Sequence, residues 1–186
     1  MNYPTVFDLI AEVAGKANAR LVLIGGFAVN ARGVARNTQD VDFLTTEADY
    51  QEMKPLLSAA GFDETVRTDV FAKQTTKNPG TMPVDFLFVD PDTFESIWQG
   101  GIETAVCGRQ FKTPSLLHLI ALKLHAIKKG SKDRVWKDLP DIANLVLSNR
   151  LDVMAFDFLE ICRKYGPDGI HQKILEMTQG GSPGRS

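Results

Sequence analysis

Three short apolar runs, each bordered by glycine or aspartate, constrain the fold of this chain most strongly. The first, Leu21 to Ile24, ends at Gly25 and Gly26, and the other two lie within "DVDFLTT" and "PVDFLFVD". Their brevity and their content of β-branched and aromatic residues predict buried strands. Polar residues at the ends of buried strands predict a sheet that carries a polar site at one edge.

The apolar pattern changes character after Pro114. Before it, predicted strands alternate with helices over 5–17, 27–33 and 47–62; after it, helical spacing continues over 115–129, 137–149, 152–165 and 168–178. The strand in "PVDFLFVD" is predicted to stop at Pro91, with Asp90 and Asp92 as turn residues. We therefore predict an α+β fold in which a small mixed β-sheet flanked by helices precedes a C-terminal helical bundle. The predicted domains are 1–113 and 114–178, and the Gly/Ser/Pro-rich stretch 179–186 is predicted to be a disordered tail.

Composition and charge narrow the class of protein. The 186 residues carry a formal net charge of -2 with a pI of about 5.9, which argues against a general polyanion-binding protein. Cys107 and Cys162 stand far apart in apolar surroundings, so we expect two buried thiols in a reducing compartment. The sequence shows no signal peptide and no run long enough to span a bilayer. We expect a cytoplasmic protein without a membrane partner.

The first candidate site is a pair of acids, Asp40 and Asp42, at the mouth of the second strand. Residues two apart on a strand point the same way, so the carboxylates lie close and repel unless a cation joins them. Asp85 opens another apolar strand and completes a cluster of three if the strands are neighbours. Carboxylates suit Mg²⁺ or Mn²⁺, and two such ions can activate an attacking oxygen and stabilise a pyrophosphate leaving group.

The residues just before this pair suggest a phosphate-binding site. Gly25 and Gly26 follow a strand and precede a helix, where glycine lets a phosphate approach the backbone. Arg36 can neutralise a triphosphate through its guanidinium fork, and Thr38 stands beside it. We therefore predict nucleotide phosphates next to the metal ions.

The order of these features is more specific than any one of them. The stretches "IGGFAVNARGVARNTQDVDF" and "VDFLFVD" resemble the nucleotidyltransferase superfamily, which includes DNA polymerase β and the aminoglycoside nucleotidyltransferases. The longer pattern, G-G-x-A followed by G-x-x-R-x-T-x-D-x-D, looks most like the AbiEii-type toxins of abortive-infection systems. The segment "ALKLHAIKKGSKDRVWKDLPDIANL" is similar to the later lysine and K/R-D-x-x-D-L/I motif of that branch. The resemblance covers roughly residues 20–147.

The resemblance implies roles for individual residues. Asp40 and Asp42 would bind the metal ions, and Asp85 would bind one ion and act as general base. Gly25, Gly26, Arg36 and Thr38 would shape the nucleotide phosphate site.

In the helical half, the resemblance implies that Lys123 contacts the triphosphate and that Asp138 orients it or the nucleotide. Asp141, one helical turn further on, is the alternative to Asp138. These acids could equally belong to an ordinary amphipathic helix, with Pro140 marking a helix start near Lys137.

The implied activity is transfer of a nucleoside monophosphate from a nucleoside triphosphate to a hydroxyl group. The acceptor could be a tRNA 3′ end, a protein or a small molecule, and the toxin resemblance would add an antitoxin protein as partner. The basic stretch "KKGSKDRVWK" could guide RNA phosphates, although a solvated loop explains it equally well. Two alternatives remain open: a non-catalytic nucleotide- or partner-binding module on the same fold, and an unrelated phosphohydrolase that uses the same acids.

Overall fold

The computed structural model describes residues 3–130 and 133–179. Those residues form two compact units: a sheet unit (3–31 and 36–115) and a helical unit (32–35, 116–130 and 133–179). The predicted tail lies outside the described residues from 180 onward, and Gln179 is the last residue of a helix. The domain boundaries inferred from the sequence therefore stay a prediction, to be compared with these two units.

The sheet unit alternates strands and helices along the chain. Its elements are α1 (Val6–Ala17), β1 (Val22–Leu23), α2 (Gly25–Ala31), β2 (Val41–Thr45), α3 (Glu47–Ala59), β3 (Phe62–Thr68), β4 (Phe71–Thr76), β5 (Val84–Phe88), α4 (Pro91–Gln99), β6 (Ile102–Val106) and β7 (Arg109–Thr113).

Within the described residues, the seven strands form one mixed sheet in the order β3-β4-β5-β2-β1-β7-β6. The pairs β2–β5 and β1–β7 are parallel, and the other neighbours are antiparallel. Apolar residues of the central strands β2 and β5, including Val41, Phe43, Val84 and Phe86, are buried in a core that they share with residues of α1 and α3. The predicted α+β class with a mixed sheet and following helices is confirmed.

Helix α1 covers one face of the sheet. Thr5 caps it reciprocally: its hydroxyl accepts from the Asp8 N–H at 3.1 Å, and the Asp8 carboxylate accepts from the Thr5 N–H at 3.1 Å. Phe7 and Ile10 on the inner side join the core of the sheet. The spacing of these apolar residues is that of an amphipathic helix, as predicted.

A partly buried polar network links strands β3 and β4 to helix α3. The Tyr50 hydroxyl donates to Glu64 Oε2 at 2.5 Å and accepts from Gln74 Nε2 at 2.6 Å, while Lys54 binds the other Glu64 oxygen at 2.9 Å. Burial, together with the Glu64 acceptor, raises the pKa of Tyr50, so its hydroxyl remains a donor. The network ties α3, β3 and β4 together.

Helix α4 was not predicted from the sequence. The prediction ended the strand at Pro91 and assigned Asp90 and Asp92 to a turn, whereas Asp90 is the N-cap and accepts from the Thr93 N–H at 2.9 Å. Pro91 occupies the first turn of the helix, where its missing N–H costs no hydrogen bond. The helix forms because Phe94 and Ile97 on its inner side are buried.

The helical unit consists of α5 (Leu116–Lys129), α6 (Asp133–Ser148), α7 (Phe156–Tyr165) and α8 (Ile170–Gln179). The predicted start of α6 near Lys137 was wrong, because the helix begins at Asp133 and contains Pro140 in its interior. Burial of Leu139, Ile142 and other residues on the same side outweighs the hydrogen bond that the proline removes.

Two further sequence-based expectations have different outcomes. Cys162 is buried, as expected, and burial raises its pKa to about 11. Cys107 was expected to be buried but is exposed, because it lies in the tight turn between β6 and β7 with a positive φ of 49°.

Across residues 3–130 and 133–179, no helix has both the length and the apolar character needed to cross a membrane.

Candidate active site

Three aspartates meet where β2 and β5 lie side by side. The two strands are parallel and in register, with Asp42 directly opposite Asp85. Asp40 lies just before β2, two residues from Asp42. Carboxylate oxygens of the three residues lie within 4.8 Å of one another, and all three residues are partly buried. The structure thus brings together the three acids that the sequence singled out, here called the acidic triad.

Gly25 makes room for one of these carboxylates. Its φ of +63° is a conformation that side chains disfavour, and a Cβ on Gly25 would lie 1.9 Å from Asp42 Oδ2. The preceding residue, Ile24, donates its N–H to the Asp42 carbonyl at 2.9 Å, so the glycine backbone is held against β2. Glycine at this position is therefore required for the close approach of the Asp42 carboxylate to the backbone.

Gly26 plays the corresponding part for Thr38. A Cβ on Gly26 would lie 2.7 Å from both Cβ and Oγ1 of Thr38. The Thr38 hydroxyl is 3.1 Å from the Asp40 carbonyl oxygen and 3.2 Å from Asp40 Oδ1, and it can donate to either. The second glycine therefore lets Thr38 reach Asp40 and orient its carboxylate.

Arg36 is fixed through its backbone. The side-chain amide of Asn30 accepts from the Arg36 N–H at 2.8 Å and donates to the Arg36 carbonyl at 3.0 Å. This two-point contact links the end of α2 to the segment that leads to the acidic triad. Sequence reasoning did not identify Asn30, since one asparagine in a helix carries no signal of such a contact.

Lys73 is a second residue that sequence reasoning missed. It lies on β4 opposite Asp85 of β5, and its Nζ is 3.2 Å from Asp85 Oδ1 and 3.3 Å from Oδ2. The charged groups form an ion pair at the edge of the acidic triad. Only knowledge of the β4–β5 register could have revealed it, because Lys73 and Asp85 are twelve residues apart.

The predicted residues of the helical unit form a separate cluster. Lys123 Nζ on α5 donates to Asp138 Oδ1 at 2.9 Å and to Asp141 Oδ2 at 2.6 Å, both on α6. All three side chains are buried, with at most 9% of each exposed. Arg134 lies 3.7 Å from the second Asp138 oxygen. Both aspartates that the sequence offered as alternatives contact the same ammonium group.

No family model and no curated protein sequence matches the chain. Solved structures do match. ANT(2″)-Ia in complex with adenylyl-2″-tobramycin superposes with a TM-score of 0.54 at 15% identity, over 94% of each chain. The fold is that of the nucleotidyltransferases. The lincosamide antibiotic adenylyltransferase LnuA, with lincomycin bound, gives a TM-score of 0.53 at 18% identity over 73% of this chain and 91% of its own.

A third structure supports the same fold. An antigenic nucleotidyltransferase-like protein from Paracoccidioides brasiliensis gives a TM-score of 0.55 at 15% identity over 92% of this chain and 88% of its own. At these identities the likeness shows the nucleotidyltransferase fold alone, and the fold that the sequence resemblance implied is confirmed.

The acidic triad fits a divalent metal ion. Its donors are hard carboxylate oxygens, the ligands that Mg²⁺ and Mn²⁺ prefer, and they converge within the span of one coordination sphere. The space that Gly25 leaves open is filled by the Asp42 carboxylate.

Proposed function

We propose that this protein transfers a nucleoside monophosphate from a nucleoside triphosphate to an acceptor hydroxyl and releases pyrophosphate. The observation that carries the proposal is the register of β2 and β5, which brings Asp40, Asp42 and Asp85 together on a nucleotidyltransferase fold. A non-catalytic module on the same fold would have no need to keep three mutually repelling carboxylates together.

Mg²⁺ or Mn²⁺ would be held by Asp40, Asp42 and Asp85. When bound, two such ions supply charge stabilisation for the attacking and leaving oxygens of the displacement. Asp40 and Asp42 provide ligand oxygens that Thr38 and Gly25 keep in place.

Asp85 is the proposed general base. The oxygen of the acceptor hydroxyl forms a bond to the α-phosphorus, and its proton passes to the Asp85 carboxylate. The bond from the α-phosphorus to the oxygen that bridges to the β-phosphorus breaks, and that oxygen leaves with pyrophosphate. Gly25 and Gly26 are proposed to shape the triphosphate site by letting Asp42 and Thr38 lie against the backbone. Arg36 and Thr38 are the proposed phosphate contacts.

Lys123 and Asp138 are proposed to assist nucleotide binding from the helical unit. An ammonium group has three N–H donors, and Asp138 and Asp141 accept from two of them. A phosphate contact by Lys123 would therefore depend on the third donor. Asp138 and Asp141 would fix the direction in which that donor points.

The acceptor that we propose first is an RNA 3′ end, with tRNA as the leading candidate. Trp136 at the start of α6 is 83% exposed, and the cations Arg134 and Lys137 are exposed on the same turns. An exposed aromatic ring among cations suits the stacking of an unpaired base beside phosphates. A small molecule is the second candidate, because two of the matched structures are named for antibiotics. A protein hydroxyl is the third.

The resemblance to AbiEii-type toxins adds a biological role to the proposal. The chain would act as the toxin of a toxin–antitoxin pair and arrest growth by modifying its acceptor. An antitoxin encoded by a neighbouring gene would then be the protein partner. Growth arrest on expression that disappears with Asp40→Ala plus Asp42→Ala would support this role, and arrest that persists in the double variant would contradict it.

The test of the activity is a labelling experiment. The protein is incubated with each α-³²P-labelled nucleoside triphosphate, Mg²⁺ and, separately, total RNA, total protein and a set of small antibiotics with free hydroxyl groups. We expect label to appear in one class of acceptor and to be lost with Asp40→Ala plus Asp42→Ala. The control pair Asp63→Ala plus Asp69→Ala, at exposed positions outside the acidic triad, should keep the activity.

The outcomes separate the competing functions. Transfer that survives Asp40→Ala plus Asp42→Ala would refute the assigned site. Release of phosphate or of free nucleoside monophosphate, with no labelled acceptor, would favour a phosphohydrolase. Nucleotide binding without either reaction would favour the non-catalytic module.

A further inference from the structure

Lys73 takes no part in the proposed reaction, yet it lies against one of the three acids. Its Nζ lies nearly equidistant from the two oxygens of Asp85, at 3.2 and 3.3 Å, across the β4–β5 pair. The Lys73 side chain is 31% exposed and that of Asp85 is 13% exposed. The ion pair is therefore only partly shielded from water, and it forms on the acid that the proposed function assigns both to a metal ion and to the acceptor proton.

The charges of the site explain what such a lysine can do. The acidic triad carries three negative charges when ionised, and Lys73 contributes one positive charge beside it. The sum is two negative charges, which one divalent cation neutralises. A second divalent cation would then meet a neutral site and leave it with two net positive charges, unless further negative charge arrives, and a triphosphate brings that charge.

We propose that Lys73 limits the nucleotide-free protein to one tightly bound divalent cation and holds the Asp85 carboxylate in place until a triphosphate binds. The inference rests on the proposed function, since it assumes that the acidic triad binds metal ions. Lys73 is a positioning residue in this scheme: it acts through Asp85 and touches neither nucleotide nor acceptor.

The chemistry of lysine suits this task. Its ammonium group is a compact charge on a flexible four-carbon stem, so it can leave one carboxylate oxygen without a change in the backbone. The partial exposure of Lys73 gives the released ammonium access to water. A closed ion pair such as that of Lys123, which is 7% exposed, would pay a large desolvation cost on opening.

The test is a titration of the full-length protein with Mn²⁺ in the absence of nucleotide, with free Mn²⁺ followed by electron paramagnetic resonance. We expect the wild type to bind one Mn²⁺ tightly. Lys73→Met should bind Mn²⁺ about tenfold more tightly or take up a second ion, because a cation next to the ligands has been removed. Lys73→Arg, which keeps the charge, should behave like the wild type in stoichiometry.

The chain offers a matched control. Lys54 pairs with Glu64 at 2.9 Å, and its side chain is 42% exposed beside a carboxylate that is 17% exposed. Lys54→Met thus removes the same charge from a similar ion pair that lies outside the acidic triad. Its Mn²⁺ binding should stay within about twofold of wild type, since exposed charges at a distance are screened. Circular dichroism of every variant checks folding, and Lys73→Gln provides a polar substitute if Lys73→Met unfolds.

Two negative results remain distinguishable. If the wild type binds Mn²⁺ and loses it with Asp40→Ala plus Asp42→Ala, but Lys73→Met and Lys73→Gln bind as the wild type does, the role of Lys73 is refuted and the proposed site stands. If the wild type binds no Mn²⁺, or if Asp40→Ala plus Asp42→Ala binds it equally well, both the metal site and the role of Lys73 are refuted.

Discussion

The two units each contain a cluster of aspartates that includes an ion pair with one lysine, and the clusters differ in burial and in charge balance. In the helical unit, Lys123 lies between Asp138 and Asp141 at 2.9 and 2.6 Å, and all three side chains are buried. In the sheet unit, Lys73 pairs with Asp85 at 3.2 Å, while Asp40 and Asp42 add two further carboxylates at partly buried positions.

The two clusters are built from the same residue types, but their exposure and their ratio of lysine to aspartate give them different roles. A buried ammonium that already binds two carboxylates is costly to separate from them. Lys123, Asp138 and Asp141, here called the helical cluster, therefore hold α5 and α6 together. A partly exposed cluster with an excess of carboxylates has little to hold it together without a cation from solution. The helical cluster should therefore behave as part of the core, and the acidic triad as a ligand site.

The largest expected effect comes from removing the buried lysine. Lys123→Met leaves Asp138 and Asp141 buried without their cation, and we expect the free energy of unfolding to fall by about 3–5 kcal/mol. Urea unfolding followed by circular dichroism measures the loss. Lys129→Met, at an exposed position on the same helix, should change the stability by less than about 0.5 kcal/mol.

A triple variant tests whether the loss of stability comes from the two unpaired carboxylates. Lys123→Met combined with Asp138→Leu and Asp141→Leu removes both orphaned charges and should recover most of the lost stability. A loss below about 1 kcal/mol for Lys123→Met alone would contradict the comparison. It would mean that the helical cluster is hydrated and exchanges partners as easily as a surface ion pair.

The next largest effect concerns the glycine that accommodates Asp42. Gly25→Ala introduces a Cβ at 1.9 Å from Asp42 Oδ2 and forces an alanine to a φ of +63°. We expect a loss of about 2–3 kcal/mol from the combined steric and backbone strain, with weaker Mn²⁺ binding because the carboxylate is displaced. Thermal unfolding and the Mn²⁺ titration measure the two parts.

Gly61→Ala is a control that introduces backbone strain without a steric clash. The φ of Gly61 is +88°, yet a Cβ there would meet no atom within 4 Å. Gly61→Ala should therefore cost about 1 kcal/mol, from strain alone, and leave Mn²⁺ binding unchanged. Equal losses from Gly25→Ala and Gly61→Ala would show that the space beside Asp42 has no role in placing the carboxylate.

The sequence predicted where the three strand-borne acids lie because local signals determined their positions. The spacing of Asp40 and Asp42 places both on one side of a strand, and Asp85 has the same position at the start of a similar apolar run. The contact between them also needed β2 and β5 to be neighbours, which the structure confirms. The roles of these residues in catalysis remain proposals.

The contacts that sequence reasoning missed depend on long-range register. The sequence "FAKQTT" has no regular alternation of polar and apolar residues, and nothing in it shows that β4 pairs with β5 so that Lys73 faces Asp85. Helix α4 was missed for another reason: the signal was present, since Asp90 followed by Pro91 is an N-cap before a first-turn proline. Here the proline was interpreted as the end of a strand when it marks the start of a helix.

The smallest expected effect tests whether the acidic triad, unlike the Lys123 cluster, makes no contribution to stability. Asp40→Asn removes one of three neighbouring carboxylates, and the amide oxygen can still accept from the Thr38 hydroxyl. In buffer with EDTA, we expect the free energy of unfolding to stay the same or to rise by about 0.5 kcal/mol, because repulsion within the site falls. Asp138→Asn should instead lose about 1–3 kcal/mol, since it breaks a buried charged contact.

In the presence of Mn²⁺, the wild type should have a higher free energy of unfolding than Asp40→Asn, the reverse of the order expected in EDTA. A ligand that binds only the folded state stabilises it in proportion to the logarithm of its concentration over its dissociation constant, so the protein with the intact site gains more. Mn²⁺ should raise the free energy of unfolding of Asp138→Asn as much as that of the wild type, because this substitution lies in the helical cluster. If Asp40→Asn were destabilised by more than about 1 kcal/mol in EDTA, the acidic triad would be held by internal contacts, as the Lys123 cluster is, and its interpretation as a ligand site would lose its physical basis.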